Sequence, residues 1–317
     1  MDSKYPREFE VTQGEEGTRL ESFLRVRLGL ARPSALKALR KGWVRVDGKR
    51  AKGSRRLTLG ETVRITNYGL PLPALEREAP PPPAVPGEWV DRARASLIHQ
   101  DPALIVSSKP SGVVVHKGTN HAYGWIDALA AALGEAPPTP IGRLDRDTSG
   151  LLALARGRAA ARALFDALRD GRLHRTYTVL VAGVVPDDDG VVEVALAKEG
   201  LDGEEQMRPS PEGQEARTRY HVVRRLARAT LLSCELETGR THQIRAHMLA
   251  IGHPVLGDAR YGSTASHALT RALGLERLAL HAGRLALPHP DTGDERVFEA
   301  PTPHELQAAV ARAREPS

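Results

Sequence analysis

Between Gly142 and Gly150 the chain reads G-R-L-D-R-D-T-S-G, which concentrates arginine, two carboxylates, two hydroxyls and two glycines in nine residues. The stretch is too polar to be core. A carboxylate fixed on a constrained turn can act as nucleophile, as base, or as the stabiliser of a cationic sugar. Asp145 is the candidate reacting group. Asp147 lies within the same turn, so the two carboxylates need not face each other across a sugar, as a two-carboxylate hydrolase requires. Asp147 is expected to bond local backbone. The plain competing reading is that Asp145 and Thr148 merely cap the turn, as Asp and Thr readily do.

Such a turn needs elements to hold it. Pro140 and Ile141 precede it and L-L-A-L-A (Leu151 to Ala155) follows, which predicts a turn entering a buried strand. Further polar and basic segments come from Lys109 to His116, from His174 to Tyr177 and from Thr238 to Gly262. Lys109 to Gly112 reads as a turn before the β-branched run Val113 to Val115, and Tyr177 to Val181 alternates as a strand. Thr241 to Ile251 reads as a helix that ends at Gly252, with Pro254 beyond it. Trp125 to Leu133 and Arg158 to Leu168 are further helices. Arg217 to Glu237 is a hairpin and Leu278 to Leu287 supplies late strands, whereas Asp202 to Gly213 reads as a surface loop. A last helix opens on capping-box spacing from Thr302 to Glu305. Strands outnumber the inserted helices, which predicts an α+β domain on a central mixed or antiparallel sheet flanked by helices.

Charge divides the chain differently. The 317 residues carry a net +6, yet Arg19 to Ile65 holds 14 Lys or Arg against 3 Asp or Glu, so the remainder is net negative. A surplus of that density is the footprint of a phosphate-backbone partner. Thr18 and Glu21 have capping-box spacing, and Leu20, Phe23, Leu24 and Leu28 mark a short amphipathic helix. A second helix, Ser34 to Lys41, presents Arg32, Lys37, Arg40 and Lys41 and stops at Gly42. Trp43 to Val46 then runs into an Asp47-Gly48 hairpin turn, and a strand from Thr62 to Thr66 closes the unit. Pro71 to Pro86 is a linker by composition. The expected divisions are 1–68, a small N-terminal α/β RNA-binding domain; 69–90, a Pro-rich linker; and 91–317, a catalytic domain.

Other function classes find little support. Cys234, the only cysteine, sits in an apolar run and is expected to be a buried hydrophobe. No glycine-rich phosphate loop or paired cysteines occur, so neither a nucleotide cofactor nor a thiolate zinc site is expected. His242 and His247 are five residues apart, off the spacing of a helical metal pair, and no metal is expected. The first residues lack a signal-peptide core, no stretch suits a membrane, and the cytoplasm is the expected compartment.

In order and residue type, R-L-E-S-F-L, the basic helix, G-W-V-R-V-D-G-K and L-G-E-T-V resemble the S-four-type RNA-binding domain. The segments V-S-S-K-P-S-G-V-V-V-H, R-L-D-R-D-T-S-G-L, H-R-T-Y-T-V-L-V-A-G and T-G-R-T-H-Q-I-R-A-H-M-L-A-I-G-H-P-V-L-G-D-A-R-Y-G resemble successive motifs of the RluA-type RNA pseudouridine synthases. Together the two cover nearly the whole chain. The likeness implies an isomerase that turns uridine into pseudouridine without redox change or cofactor, with Asp145 as its carboxylate. It implies that Tyr177 offers a face to an extruded base, that Arg143 fills the gap in the stack, and that Arg245 supplies the positive partner of Asp145, which a bidentate guanidinium would hold well. RNA binding is assigned to Arg32, Lys37, Arg40 and Lys41.

The family usually carries His where this chain has Gly142, the residue of the related RsuA-type branch, whereas A-L-H-A (Ala279 to Ala282) fits the RluA type. Ribosomal RNA of the large subunit is the implied partner and a monomer the expected state. The competing readings are a non-catalytic RNA-binding or ribosome-assembly protein on the same scaffold, a synthase acting on tRNA, and a sugar hydrolase.

Overall fold

The computed structural model describes residues 7–11, 15, 17–66, 85–117, 122–200 and 206–314. Two compact units divide the chain, Met1–Pro82 and Pro83–Ser317. The Pro-rich stretch read as a linker lies outside the described residues up to residue 84. Beyond it the reading changes, because Gly87–Ala95 is a helix with Pro86 at its N-cap rather than linker. Proline's fixed φ and missing N–H are tolerated at a helix entrance.

The first unit contains β1 (Arg7–Glu10), α1 (Leu20–Leu28), α2 (Arg32–Lys41), β2 (Val44–Val46), β3 (Lys49–Arg50) and β4 (Thr62–Ile65). Its strands form one antiparallel sheet in the order β1-β4-β2-β3. Asp47 and Gly48 both take positive φ, 46° and 76°, as a two-residue hairpin turn with the twist of its strands requires. Leu20, Phe23, Leu24 and Leu28 are buried against Ala35, Ala38, Val44, Val46, Val63 and Ile65. Helix α1 starts from Arg19 with no side-chain cap, so the expected Thr18–Glu21 capping box does not form. Glu21 pairs with Arg32 instead, at 2.9 Å.

The second unit begins with α3 (Gly87–Ala95), β5 (Leu97–Gln100), β6 (Leu104–Lys109), α4 (Trp125–Leu133), β7 (Thr139–Pro140) and β8 (Ser149–Ala155). Then come α5 (Gly157–Arg169), β9 (His174–Ala182), β10 (Asp189–Glu193), β11 (Leu196–Glu199), β12 (Gln206–Pro209), β13 (Arg217–Arg225) and β14 (Ala229–Leu236). The last elements are α6 (Gln243–Ala250), α7 (Thr264–Ala272), β15 (Leu280–Pro288), β16 (Glu295–Glu299) and α8 (His304–Arg312). A 10-stranded sheet runs β10-β13-β14-β9-β15-β8-β6-β5, with β16 on β15 and β7 on β8. The fold is α+β on a mixed sheet, since β8 and β15 pair parallel while the neighbouring pairs are antiparallel.

Every residue of β8 is buried, the pattern of a strand covered on both faces. Its alternation divides two cores. Leu152 and Leu154 join Ile105, Val179 and Met248 on one face, and Leu151, Ala153 and Ala155 join Leu104, Val106 and Leu164 on the other. Gly150 is required where β8 meets β15: its φ is +112°, and a Cβ there would run into the Ala282 backbone.

Two expectations fail locally. Gln206–Pro209 forms β12 against β11 where a loop was expected, because a ladder needs only backbone groups and Met207 alone of its side chains packs on the Leu196–Tyr261 cluster. Residues 202–205 of that reading lie outside the described residues. Helix α8 starts from Pro303 without the Thr302–Glu305 box.

Candidate active site

The G-R-L-D-R-D-T-S-G turn closes through the Thr148 N–H, which donates to the Asp145 carbonyl at 3.2 Å, and then enters β8. A second turn laces it in place. Lys109 Nζ donates to the carbonyls of Pro110 and Val113, both at 2.8 Å, and to that of Arg146 at 3.0 Å. Ser111 Oγ donates to the Asp147 carbonyl at 2.6 Å. Burial pulls the Lys109 pKa down to about 7, against Asp147 and Asp145, whose charges hold it up. Three carbonyl acceptors match the three protons of the ammonium form. The Asp147 carboxylate bonds the Arg146 guanidinium at 2.9 Å, where a local backbone bond was expected.

Arg245 comes from α6 on the opposite side. Gln243 seats that helix: its Oε1 accepts from Thr238 Oγ1 and the Arg240 N–H, and its Nε2 donates to the Arg217 carbonyl and Thr218 Oγ1, all within 2.8–3.0 Å. The bidentate partner of Arg245 is not Asp145. Nε and Nη2 donate to the two oxygens of Asp258 at 2.7 and 2.8 Å, leaving Nη1 for Asp145 Oδ2 at 3.3 Å. The guanidinium carbon also lies 4.8 Å from the centre of the Tyr261 ring. Asp258 in turn accepts from the Arg260 and Tyr261 N–H groups.

These surroundings set the charges. Burial disfavours the Arg245 cation, but the Asp258 hydrogen bonds and charge, with Asp145 adding, raise its pKa. Burial works against the Asp258 carboxylate as well, and Arg245 prevails and lowers its pKa. The Asp258 side chain has no exposure, Arg245 has 7% and Asp145 has 25%, so within this network Asp145 is the acid a ligand can reach.

Asp145 lies where two cavities meet. One, of about 50 Å³, is lined by Arg143, Leu144, Asp145, Thr148, Tyr177 and Arg245. The other is an open cleft of about 1540 Å³ whose lining mixes cations, among them Lys109, Arg146, Arg208 and Arg277, with carboxylates, among them Asp147, Glu199, Glu276 and Glu305. Tyr177 is 4% exposed, paired between Cys234 of β14 and Ala282 of β15, so one side of it belongs to the core while it faces the small cavity. Burial raises its pKa against the opposing Arg175 charge. Arg143 is exposed and has no hydrogen bond or ion pair among the described residues. Cys234 is buried, which pushes its thiol up to about 12. Arg32, Lys37, Arg40 and Lys41 are exposed on α2 in the first unit.

Gly142 has a local explanation. Its φ is +77°, and a Cβ there would lie 2.7–2.9 Å from the Arg175 nitrogens, so the guanidinium occupies the space of a side chain. Arg175 Nη2 donates to the Ile141 carbonyl just before the turn.

Asp258, Tyr261, Lys109 and Arg175 lie within the quoted motifs, but the sequence assigned them no role. The signal for the first two was present in G-D-A-R-Y-G, Gly257 to Gly262, since a buried arginine touching one carboxylate with a single nitrogen leaves donors to be satisfied elsewhere. Among the described residues no group of three His, Cys, Asp or Glu side chains is placed to hold a metal, and no helix is long and apolar enough to cross a membrane.

Residues 103–250 match the RNA pseudouridylate synthase family. The ribosomal large subunit pseudouridine synthase C of Escherichia coli K12 is 39% identical over 311 residues, covering 96% of this chain and 95% of that protein. The protein of the same name from Vibrio cholerae is 33% identical, with 96% of each chain covered. Among solved structures, human RNA pseudouridylate synthase domain containing 4 aligns with a TM-score of 0.59 and 26% identity over 72% of this chain and 97% of that one.

Proposed function

We propose that this chain, which belongs to the RNA pseudouridylate synthase family, isomerises uridine to pseudouridine in ribosomal RNA of the large subunit, with Asp145 as the reacting carboxylate. The observation that carries the assignment is the placement of Asp145, held by Arg245 at 3.3 Å where an open, arginine-bearing cleft meets a cavity faced by Tyr177. The isomerisation breaks the bond from N1 to the anomeric carbon and rejoins that carbon to C5; N1 gains a proton and C5 loses one. A carboxylate beside the sugar counters the positive character that develops at the anomeric carbon. The uridine must leave its stack to reach it, and the cleft's arginines supply the charge that holds the flanking phosphates.

In this reading Tyr177 supports the extruded base and Arg143, with no partner to give up, enters the vacated stack. Residues 1–68 form an S-four-type module that docks on nearby RNA through Arg32, Lys37, Arg40 and Lys41. The enzyme works as a cytoplasmic monomer without a nucleotide cofactor. Ribosomal RNA is favoured because relatives matched over nearly their full length carry large-subunit names.

The test is carbodiimide-adduct mapping of pseudouridine in total RNA from a strain lacking the gene, complemented with wild type or Asp145→Asn. Sites in large-subunit RNA should return with wild type alone. Sites confined to tRNA would move the substrate, and no difference between the strains would end the assignment.

A further inference from the structure

Among the described residues two that are not glycine hold left-handed backbone angles: Asp47 in its hairpin turn, and His242, with φ 53° and ψ 22°, at the N-cap of α6. Histidine offers no side-chain cap there, and a Cβ makes this conformation unfavourable. What the strained backbone achieves is the placement of the imidazole. Its Nδ1 lies 2.9 Å from Tyr261 Oη and its Nε2 lies 3.9 Å from Asp145 Oδ2, and the ring lines both the small cavity and the cleft.

The hydrogen bonds fix which nitrogen carries the proton. Tyr261 Oη accepts the Met207 N–H at 2.8 Å, and Tyr261 is buried, so its own proton is satisfied by donating to His242 Nδ1. The neutral ring is then protonated on Nε2, and that N–H faces Asp145. The opposite tautomer would strand the tyrosine proton and point a lone pair at a carboxylate. Burial, with the nearby Arg245 and Arg260 charges, outweighs Asp145 and Asp258 in lowering the His242 pKa, which keeps the ring neutral.

A gap of 3.9 Å is too long for a direct bond but accepts one oxygen at about 2.8 Å from each side. That oxygen must donate to Asp145 and accept from His242. A hydroxyl does both and a uracil carbonyl does not. The 2′-hydroxyl is the one on the carbon next to the anomeric centre. We propose that His242 is a substrate-contacting residue whose Nε2–H, together with Asp145, clamps the 2′-hydroxyl of the target nucleotide, which fixes the sugar and selects ribose over deoxyribose. This rests on the assignment of Asp145 as the reacting carboxylate of a uridine isomerase.

Asparagine and glutamine separate the two ring nitrogens. Asn tolerates the left-handed backbone and places an amide where Nδ1 stands, whereas Gln reaches the position of Nε2. With one target RNA, His242→Asn should lower kcat about tenfold or more with KM raised no more than about threefold and melting temperature little changed, and His242→Gln should regain at least about a third of wild-type turnover. In an Asp145→Asn background, where RNA binds without turnover, replacing the target ribose by 2′-deoxyribose should weaken affinity about threefold, and adding His242→Asn should abolish that penalty.

Full turnover in His242→Asn, a Gln variant no better than Asn, or a deoxyribose penalty indifferent to residue 242 would each overturn the clamp. If Asp145→Asn is inactive while His242→Asn is not, the clamp fails alone. If Asp145→Asn remains active, the clamp fails together with the assignment of Asp145.

Discussion

Arg245 and Arg32 are the same side chain in opposite surroundings. Arg245 is almost wholly buried, donates to both oxygens of Asp258 and rests on the Tyr261 ring, and a single nitrogen is left for Asp145. Arg32 is two-thirds exposed and has one carboxylate, Glu21, at 2.9 Å. Removing a guanidinium from water is costly, and the second acid at the site offsets that cost while fixing the geometry. On α2 solvent screens each charge, so the individual pair contributes little and the side chains keep the freedom to follow a phosphate chain. The charge beside Asp145 is buried and saturated; the charge on α2 is solvated and loosely held.

The largest effect should come from breaking the buried side of that contrast. Asp258→Ala strands the Arg245 charge, and removing one partner of a buried pair costs about 3–5 kcal/mol. Denaturant unfolding should show that loss, and turnover should fall with it, because Asp145 loses the orientation of its partner. A stability change within about 0.5 kcal/mol, the size expected of an ordinary surface substitution, would mean that Asp258 and Arg245 behave as surface charges.

Next in size is Arg245→Lys, which keeps the charge and removes the fork. Lysine cannot engage Asp258 with two nitrogens and Asp145 with a third, so the Asp145 carboxylate, the proposed reacting group, is mispositioned. Turnover should drop by about 10²-fold, the scale of a misplacement near 1 Å, with RNA affinity changed far less. Equal turnover in the two proteins would reduce Arg245 to a mere cation.

How much of this contrast could be read from the sequence depends on how far each feature is local. The basic segment was legible because 14 Lys or Arg residues in one short stretch need no tertiary information to be noticed. Strand β8 was legible because its apolar run sits between the polar turn and Gly157. Asp258 was not, since it lies 13 residues from Arg245 and looks like any Gly-Asp turn until the loop returns against α6. Lys109 was read as one end of a polar turn, yet it is 1% exposed, and only the approach of the Asp145 turn gives its ammonium a carbonyl cage. The capping boxes at Thr18 and Thr302 failed for a smaller reason: spacing proposes a cap, but one residue's backbone angles decide where the helix starts.

Lys109 offers the third test. Its folded pKa of about 7 lies below the ordinary 10.5, so between those values the unfolded chain binds more protons than the folded one. Stability contributed through this group therefore rises as pH climbs across that window. The difference in unfolding free energy between wild type and Lys109→Met should shift in favour of wild type from pH about 7 to pH about 9.5, both read from urea titrations. A difference independent of pH would show that the buried ammonium keeps its ordinary proton affinity and is as comfortable as the exposed charges of α2.

The smallest effects in the fold should come from α2, and there the comparison turns inward, because Arg32 and Lys37 are not equivalent. Lys37 has no ion pair among the described residues, whereas Arg32 already pairs with Glu21. Neither substitution by alanine should change stability by more than about 0.5 kcal/mol. Removing one side chain that neutralises a phosphate should flatten the dependence of log affinity on log salt by about 0.7–0.9. Lys37→Ala should show that full change. Arg32→Ala should show less, since Arg32 must surrender Glu21 before it reaches a phosphate, and Glu21→Ala should restore its share by strengthening RNA binding and steepening the slope. Equal slopes for all three variants would mean that the Glu21 pair costs the docking surface nothing, and that solvated arginines on this helix exchange carboxylate for phosphate freely.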